Sequence, residues 1–384
     1  RKPLFHQNAM MIVAHDDRKR PRILANRPEW NRWSGAWDES TPGRFRPRSQ
    51  ADPVVLAYRH LVPDDRQWRA ILRESPLPYP PRPTLITDFY AYNTNIAEHS
   101  LFDEARAWFQ PDWVGDLSLA FRLKVQKPVG QLRVELVRAN LIAECRIDLA
   151  EGTISLLQDN TEIGQARQQS FRAGGSYDLR FSNVDGRLTL ELDGSDLSPN
   201  REGWGYRETP TENLGPGQED LSPARIVAQG AEIEVSDLVL KRDIYYTQSP
   251  GNPDAPTVWS PGPATLSELH DFLADPARFS VIGRLRSSRY AIGAGRYLML
   301  GDNSPRSKDG RGWGTRDRLD PTDSASGGWD SSKREAWEVP ESLLIGKAFF
   351  IYWPHGQPFG PSVRLNRDFR VPFRPNFERM TLIR

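Results

Sequence analysis

Short alternations of apolar and polar residues dominate the middle of the chain. Leu117, Leu119, Phe121 and Leu123 alternate with Ser118, Ala120, Arg122 and Lys124. Leu132, Val134 and Leu136 alternate with Arg133, Glu135 and Val137. Ile147 and Leu149, then Ile154 and Leu156, repeat the theme across a turn at Glu151-Gly152. Tyr177, Leu179 and Phe181 lead into a turn at 184–187, and Leu188, Leu190 and Leu192 run on to Asp193-Gly194. Ile233, Val235, Leu238 and Leu240 close the region. Period-two runs broken by Asx-Gly turns predict antiparallel strands with one buried face. Their spacing predicts a two-sheet β-sandwich over residues 88–242.

The flanks are less regular. Residues 1–87 read as an irregular lead-in, with a strand somewhere in 4–17 that ends in a turn at His15-Asp16-Asp17, and another at 54–60. A basic, Trp-rich stretch (18–37) separates them, and the Pro-rich stretch 76–83 reads as an extended linker marking a boundary. Residues 243–384 form a third region that opens on a strand-like exit at 243–247. Leu266, Leu269, Phe272 and Leu273 have helical spacing, and Thr265 with Glu268 makes a capping box, so a helix is predicted over 265–279, ended at Pro276. His270 on that helix reads as a surface or hydrogen-bonded structural histidine rather than a catalyst. A strand at 297–300 follows, and 315–338 is a long polar insertion.

Composition narrows the classes. A chain of 384 residues has room for two domains or three. With a formal net charge of +1 it has no basic face of the kind nucleic acid requires. The 32 prolines, 29 glycines and 12 tryptophans favour a β-rich, loop-rich protein. One cysteine, Cys145, rules out a disulfide within the chain, and its alternating context makes it a small buried hydrophobe. No apolar run reaches the ~18 residues of a membrane span. The six histidines show no metal-ligand spacing, so a metal hydrolase is disfavoured and no cofactor is expected.

Candidate chemistry concentrates near the carboxyl end. Gly301, Asp302, Asn303, Ser307, Asp309, Arg311, Trp313 and Gly314 are followed by Val339, Pro340, Glu341, Ile345, Gly346, Lys347 and Ala348. This pair of segments resembles the last sequence box of the type I signal peptidases, membrane-bound serine proteases with a Ser/Lys dyad. The resemblance implies that Ser307 hydrogen-bonds the catalytic lysine and that Gly301 lies where a side chain would crowd the dyad. It also implies that Asp302, Asp309 and Arg311 form ion pairs holding the loop. Such a dyad needs a serine hydroxyl and a lysine kept neutral by burial. The nucleophile and lysine boxes of the family are not found here, and Arg1-Lys2-Pro3 resembles the strand following the lysine box. The chain is therefore expected to be the carboxy-terminal part of a longer, membrane-anchored protein, facing the extracytoplasmic side. The full protein would cleave signal peptides from preproteins, with the dyad upstream of Arg1.

The hairpin 177–194 and the closing strand 232–243 resemble the concanavalin-like jelly rolls of lectin and laminin-G type. A sandwich inserted in this way is similar to large-insert signal peptidases of planctomycete type. The expected fold class is thus mainly β: an antiparallel sandwich at 88–242 inserted into a signal-peptidase-like β-domain, with one or two short helices. Lectin-like candidates are Asp88, Tyr90, Tyr92 and Asn93, which could face sugar or calcium; Phe89 and Tyr92 equally suit core positions, and Asn93 a turn. The competing function is a catalytically inactive relative whose sandwich binds glycan or protein.

Overall fold

The computed structural model describes residues 7, 10–20, 22–24, 27–49, 52–63, 65–88, 113–198, 201–206, 215–246, 271–279, 290, 292–301, 309–310, 338–346, 350, 363–364 and 370–371. Two compact units are present. The first comprises Arg1–Thr87, Trp113–Ile244 and Pro263–Gly283; the second holds Asp88–Asp112, Tyr245–Gly262 and Arg284–Arg384.

The first unit is built from strands β1 (Ile12–Asp16), β2 (Trp33–Gly35), β3 (Trp37–Thr41), β4 (Arg44–Pro47) and β5 (Val54–Tyr58), then helix α1 (Asp65–Leu72). After these come β6 (Leu117–Lys127), β7 (Gln131–Arg138), β8 (Leu141–Asp148), β9 (Ile154–Gln158), β10 (Thr161–Gln165), β11 (Ser176–Val184) and β12 (Arg187–Leu192). Strands β13 (Ser195–Asp196), β14 (Trp204–Gly205), β15 (Ala224–Gln229) and β16 (Glu232–Arg242) complete it. Among the described residues these strands form two antiparallel sheets. Sheet A runs β13-β12-β11-β6-β16-β4-β3, with β1 also on β16 and β14 also on β12. Sheet B runs β10-β9-β8-β7-β15-β5-β2. The chain crosses between sheets from β1 to β2, β2 to β3, β4 to β5, β5 to β6, β6 to β7, β10 to β11, β14 to β15 and β15 to β16. The predicted two-sheet sandwich is the observed fold.

The alternation explains the layers. Leu117, Leu119, Phe121, Leu123 and Val125 of β6 are buried, as are Leu132, Val134 and Leu136 of β7, and all join one continuous core between the sheets. Cys145 is fully buried there, and burial pushes its thiol far above the ordinary range. Tight turns set the registers. Ala139-Asn140, Asp159-Asn160, Asp185-Gly186 and Asp193-Gly194 all have both residues at positive φ, as two-residue hairpins with right-twisted strands require. Alanine tolerates this poorly. The buried carboxylate of Asp220 holds the turn in place by accepting from the Ala139 and Asn140 amides, each at 2.9 Å.

The expected partition at residue 88 differs from what is observed. Strands from the lead-in are integral to the sandwich: β5 pairs β15 with Leu56 opposite Ile226, β4 pairs β16 with Phe45 opposite Val235, and β1 pairs β16 with Val13 opposite Lys241. Trp33, Trp37, Phe45, Leu56 and Tyr58 lie in the same core as β6–β16. The reason is hydrogen bonding as well as apolar burial, since β15 and β16 would otherwise carry open edges. The Pro-rich stretch is no boundary either, because Thr84 returns to His60 through N–H···O at 2.9 Å and Leu85 to Leu273 at 2.8 Å. Of the predicted helix over 265–279, the described part is helical at 271–273 and then forms a 3-10 turn at Pro276–Arg278 capped by Asp275. Thr265, Glu268 and His270 lie outside the described residues.

The second unit contains β17 (Arg296–Leu298) paired with β18 (Glu338–Pro340), Tyr297 facing Val339, and a small pair β19 (Val363–Arg364) with β20 (Arg370–Val371). Among the described residues no helix is long and apolar enough to cross a membrane.

Candidate functional site

Three polar constellations stand out. The most exposed is the outer face of sheet A, formed by the polar half of the alternation. Across four strands Asp38 of β3, Arg46 of β4, Glu234 of β16 and Lys124 of β6 occupy one row, set by the pairs Asp38–Arg46 and Glu234–Lys124 and by the Val235–Phe45 register. The adjacent row carries Arg44, Ser236, Arg122 and Asp178. Arg44 Nη1 donates to Glu234 Oε1 at 3.0 Å and Arg46 Nε to Oε2 at 2.8 Å. Burial alone would raise the Glu234 carboxyl, but the two guanidinium hydrogen bonds outweigh it and hold the group below its ordinary range. Arg122 Nε donates to Asp178 Oδ1 at 2.9 Å, while its Nη1 lies 3.7 Å from Asp237 Oδ2. Arg44, Arg46 and Arg122 are each about half exposed. Charges of opposite sign alternate along the first row, while the second places two arginines beside a serine and an aspartate. Glu234 and Ser236 are themselves buried, and the face carries donors and acceptors side by side with little net charge.

The second constellation is buried and spans the layers. Arg32 donates from Nε and Nη2 to the Leu61 carbonyl at 3.1 and 2.7 Å, and Nη1 lies 2.9 Å from His15 Nδ1. A guanidinium only donates, so Nδ1 accepts and the His15 proton sits on Nε2, facing Asp17 Oδ1 at 3.4 Å. Arg20 donates to the same Asp17 carboxylate at 2.6 and 2.9 Å. The Tyr58 hydroxyl and His60 Nδ1 are 2.9 Å apart. Burial lowers His15 to about 4, with Asp17 opposing and the Arg32 charge assisting. Burial, then the Arg32 and His15 charges, lower His60 to about 3. An Asp–His couple suggests a general base, but here the imidazole lone pair is taken by an arginine. His15 cannot accept a proton without expelling Arg32, so this is a structural tie.

The third gathers Asp116 before β6, Asp243 after β16 and Asp185 in the β11–β12 turn, with oxygens within 4.8 Å of one another. Asp116 and Asp243 are buried. Arg138 Nε lies 3.2 Å from Asp116 Oδ1, and the Asp243 amide donates to the Asp116 carbonyl at 2.9 Å. Burial, opposed by Arg138 and assisted by the other two carboxylates, lifts Asp116 to about 6. An all-oxygen set of this kind suits a hard divalent cation. The guanidinium already supplies the counter-charge to the deepest carboxylate, so the donor set favours a bound cation less than three free carboxylates would.

Of the residues singled out in sequence, Gly301 and Asp309 are brought together in the second unit. Asp309 is 5 % exposed, its Oδ2 accepts from the Gly301 amide at 2.9 Å, and Gly310 N–H donates to the Met299 carbonyl at 2.9 Å. Asp302, Asn303, Ser307 and Arg311 lie outside the described residues, as do Tyr90, Tyr92 and Asn93; Asp88 is buried. Sequence reasoning missed all three constellations. The signal for the first was present as the polar partners of the β6 alternation. The other two join residues far apart in sequence and left no local pattern.

These features define the chain as an antiparallel β-sandwich protein with a second, smaller β-containing unit. No family model matches it, and no curated protein does. Among solved structures it is similar to the Caenorhabditis elegans galectin LEC-6 at 12% identity, covering 34% of this chain and 84% of the galectin with a TM-score of 0.24. The carbohydrate-binding module CBM66 from Bacillus subtilis matches at 7% identity over 56% of this chain and 92% of the module, TM-score 0.28. A Trypanosoma rangeli sialidase in complex with sialic acid matches at 12% identity over 55% of this chain and 27% of the sialidase, TM-score 0.30. At such scores the likenesses decide nothing about ligand, and the sandwich stands on its own strand registers.

Proposed function

We propose that the first unit is a glycan-binding module that presents the outer face of sheet A to a polyhydroxylated ligand. The observation that carries this reading is the cross-strand row Asp38–Arg46–Glu234–Lys124 beside Arg44–Ser236–Arg122–Asp178. Planar guanidinium and carboxylate groups held on a sheet are pre-oriented, so little ordering cost remains when a ligand binds. A sugar hydroxyl both donates and accepts, which matches a surface where the two roles alternate. A balanced face also argues against a polyanion, which would want an excess of arginine. The test is binding of the full chain to a panel of neutral and acidic glycans at low and high salt. Neutral ligands should bind with little salt dependence, and the double variant Arg44→Ala/Arg46→Ala should weaken binding at least ~10-fold, the loss of one or two charged hydrogen bonds. Binding of acidic glycans only, with a steep salt slope, or of none, overturns the reading.

A second reading is favoured by the second unit. The two segments resembling the signal peptidase box are neighbours in space, since β17 leads into Gly301, β18 contains Val339 and Pro340, and the strands pair directly. The Asp309–Gly301 bond suits a loop braced around a neighbouring group. On this reading the full protein is a membrane-anchored, extracytoplasmic serine endopeptidase of signal peptidase I type that takes signal peptides of preproteins. Its nucleophile and lysine lie upstream of Arg1, and the sandwich is an accessory binding module. Assaying preprotein cleavage by a protein that carries the upstream segment tests it. Asp309→Asn should lower cleavage ~10-fold or more, because positioning groups contribute on that scale; wild-type rates in the variant, or no cleavage by the parent protein, reject it.

A further inference from the structure

Sheet A has several register shifts, and the one in β16 after Ser236 lies at the centre of its polar face. Strand β16 pairs β6 with Ser236 opposite Arg122 and Val239 opposite Ala120, so two residues of β16 face one of β6. Leu238 fills the core, fully buried, while Asp237 takes φ +57 with its side chain 40% exposed. A left-handed residue in a central strand is a cost that a regular ladder would avoid. Bulges of this kind re-aim a side chain, and they recur beside binding and active sites. Here the bulge sends the Asp237 carboxylate toward Arg122 from one side while Asp178 holds the guanidinium from the other. The two contacts are unequal. The Asp178 contact is a direct hydrogen bond at 2.9 Å, whereas Asp237 Oδ2 stands 3.7 Å from Arg122 Nη1, beyond one. A hydroxyl set between them can accept from the guanidinium and donate to the carboxylate. Ser236, whose hydroxyl lies 3.4 Å from Asp237 Oδ2, and Arg44 border the same spot.

We infer that Asp237 and Arg122 are the specificity-determining pair of the glycan face, and that their ligand is a neutral pyranoside offering two adjacent hydroxyls. One hydroxyl bridges Asp237 and Arg122, and its neighbour reaches the second Asp237 oxygen, the pairing a carboxylate recognises in a diol. This rests on the glycan-binding reading of sheet A and adds to it the residues and the ligand class.

The test uses the full chain with methyl gluco-, galacto- and manno-pyranosides and their monodeoxy analogues, read by titration calorimetry or ligand-observed NMR. Wild type should bind at least one parent sugar and discriminate at least 10-fold against one deoxy form. Asp237→Asn keeps a residue that tolerates the left-handed backbone and should lose that discrimination, binding parent and deoxy sugars alike. Asp237→Gly relaxes the backbone, so its fold is secure, and should behave the same way. If both variants keep the wild-type discrimination, the pair is not the determinant, although the sheet face still binds. If wild type binds only other glycans through Arg44 and Arg46, this inference fails while the broader reading stands. If wild type binds no glycan, both fail.

Discussion

Two regions of the first unit carry dense charge, and they use it in opposite ways. On the outer face of sheet A, half-exposed guanidinium groups meet carboxylates, of which Glu234 is itself covered. In the other cluster His15 and Asp17 are buried, with Arg32 on the imidazole and a partly covered Arg20 on the carboxylate. Arg32 satisfies a backbone carbonyl and an imidazole at once, both set by distant segments. Arg46 shares its carboxylate with Arg44 and remains half exposed. The buried charge fixes how strands are placed, and its loss is felt throughout the fold. The surface charge adds little to stability, and this leaves it free for a ligand.

The largest expected effect comes from removing Arg32. Arg32→Leu leaves the Leu61 carbonyl and His15 Nδ1 without their donor, and breaking a buried charged contact typically costs ~3–5 kcal/mol. Urea denaturation measures this, and a loss under ~1 kcal/mol would erase the contrast between the regions. Next is pH. His15 and His60 have folded pKa values near 4 and 3, below the unfolded value of 6.5. The unfolded chain therefore binds more protons below pH ~6.5, so stability is full above that and falls as pH drops toward 4, by several kcal/mol in sum. Asp116 works the other way, because its folded pKa of about 6 exceeds the ordinary carboxylate value and its contribution is lost as pH rises from about 4 to 6. Asp116→Asn should thus enlarge the gain in unfolding free energy between pH 5 and pH 8, by ~1 kcal/mol, whatever its constant offset. A smaller gain would contradict that sign. On the exposed face, Arg46→Ala should change stability by less than ~1 kcal/mol. The smallest effect is a gain: Asp237→Gly should stabilise by a few tenths to ~1 kcal/mol by relieving the left-handed residue. Destabilisation there would show that Asp237 works as a strut for the fold.

The sandwich was legible in the sequence where alternation is strict, as in β6, β11 and β12. The Asp185-Gly186 and Asp193-Gly194 turns were legible for the same local reason. The bulge left a trace as well: buried positions step by two from Ile233 to Val235, by three to Leu238, then by two to Leu240. The lead-in strands were not legible as part of the sandwich. Nothing local in Arg44–Pro47 or Val54–Tyr58 says that Phe45 pairs with Val235 and Leu56 with Ile226, a pairing that depends on tertiary hydrogen bonding. The buried relay was hidden similarly, since His15-Asp16-Asp17 reads as a turn until Arg32 is placed beside it. The loop near Gly301 was readable as a spaced set of residues, of which the structure describes the Gly301–Asp309 contact.

Val13 lies beside Lys241 and Leu56 beside Ile226. In a chain made from its amino end, the early strands must therefore wait for β15 and β16 to be synthesised before they can dock. Until then Trp33, Trp37 and Tyr58 have no core to enter. Such long-range closure predicts slow maturation and a window in which these aromatics are exposed to chaperones or to one another. A piece cut at residue 88 would keep β15 and β16 with bare edges, so it would be more prone to self-association than to sugar binding.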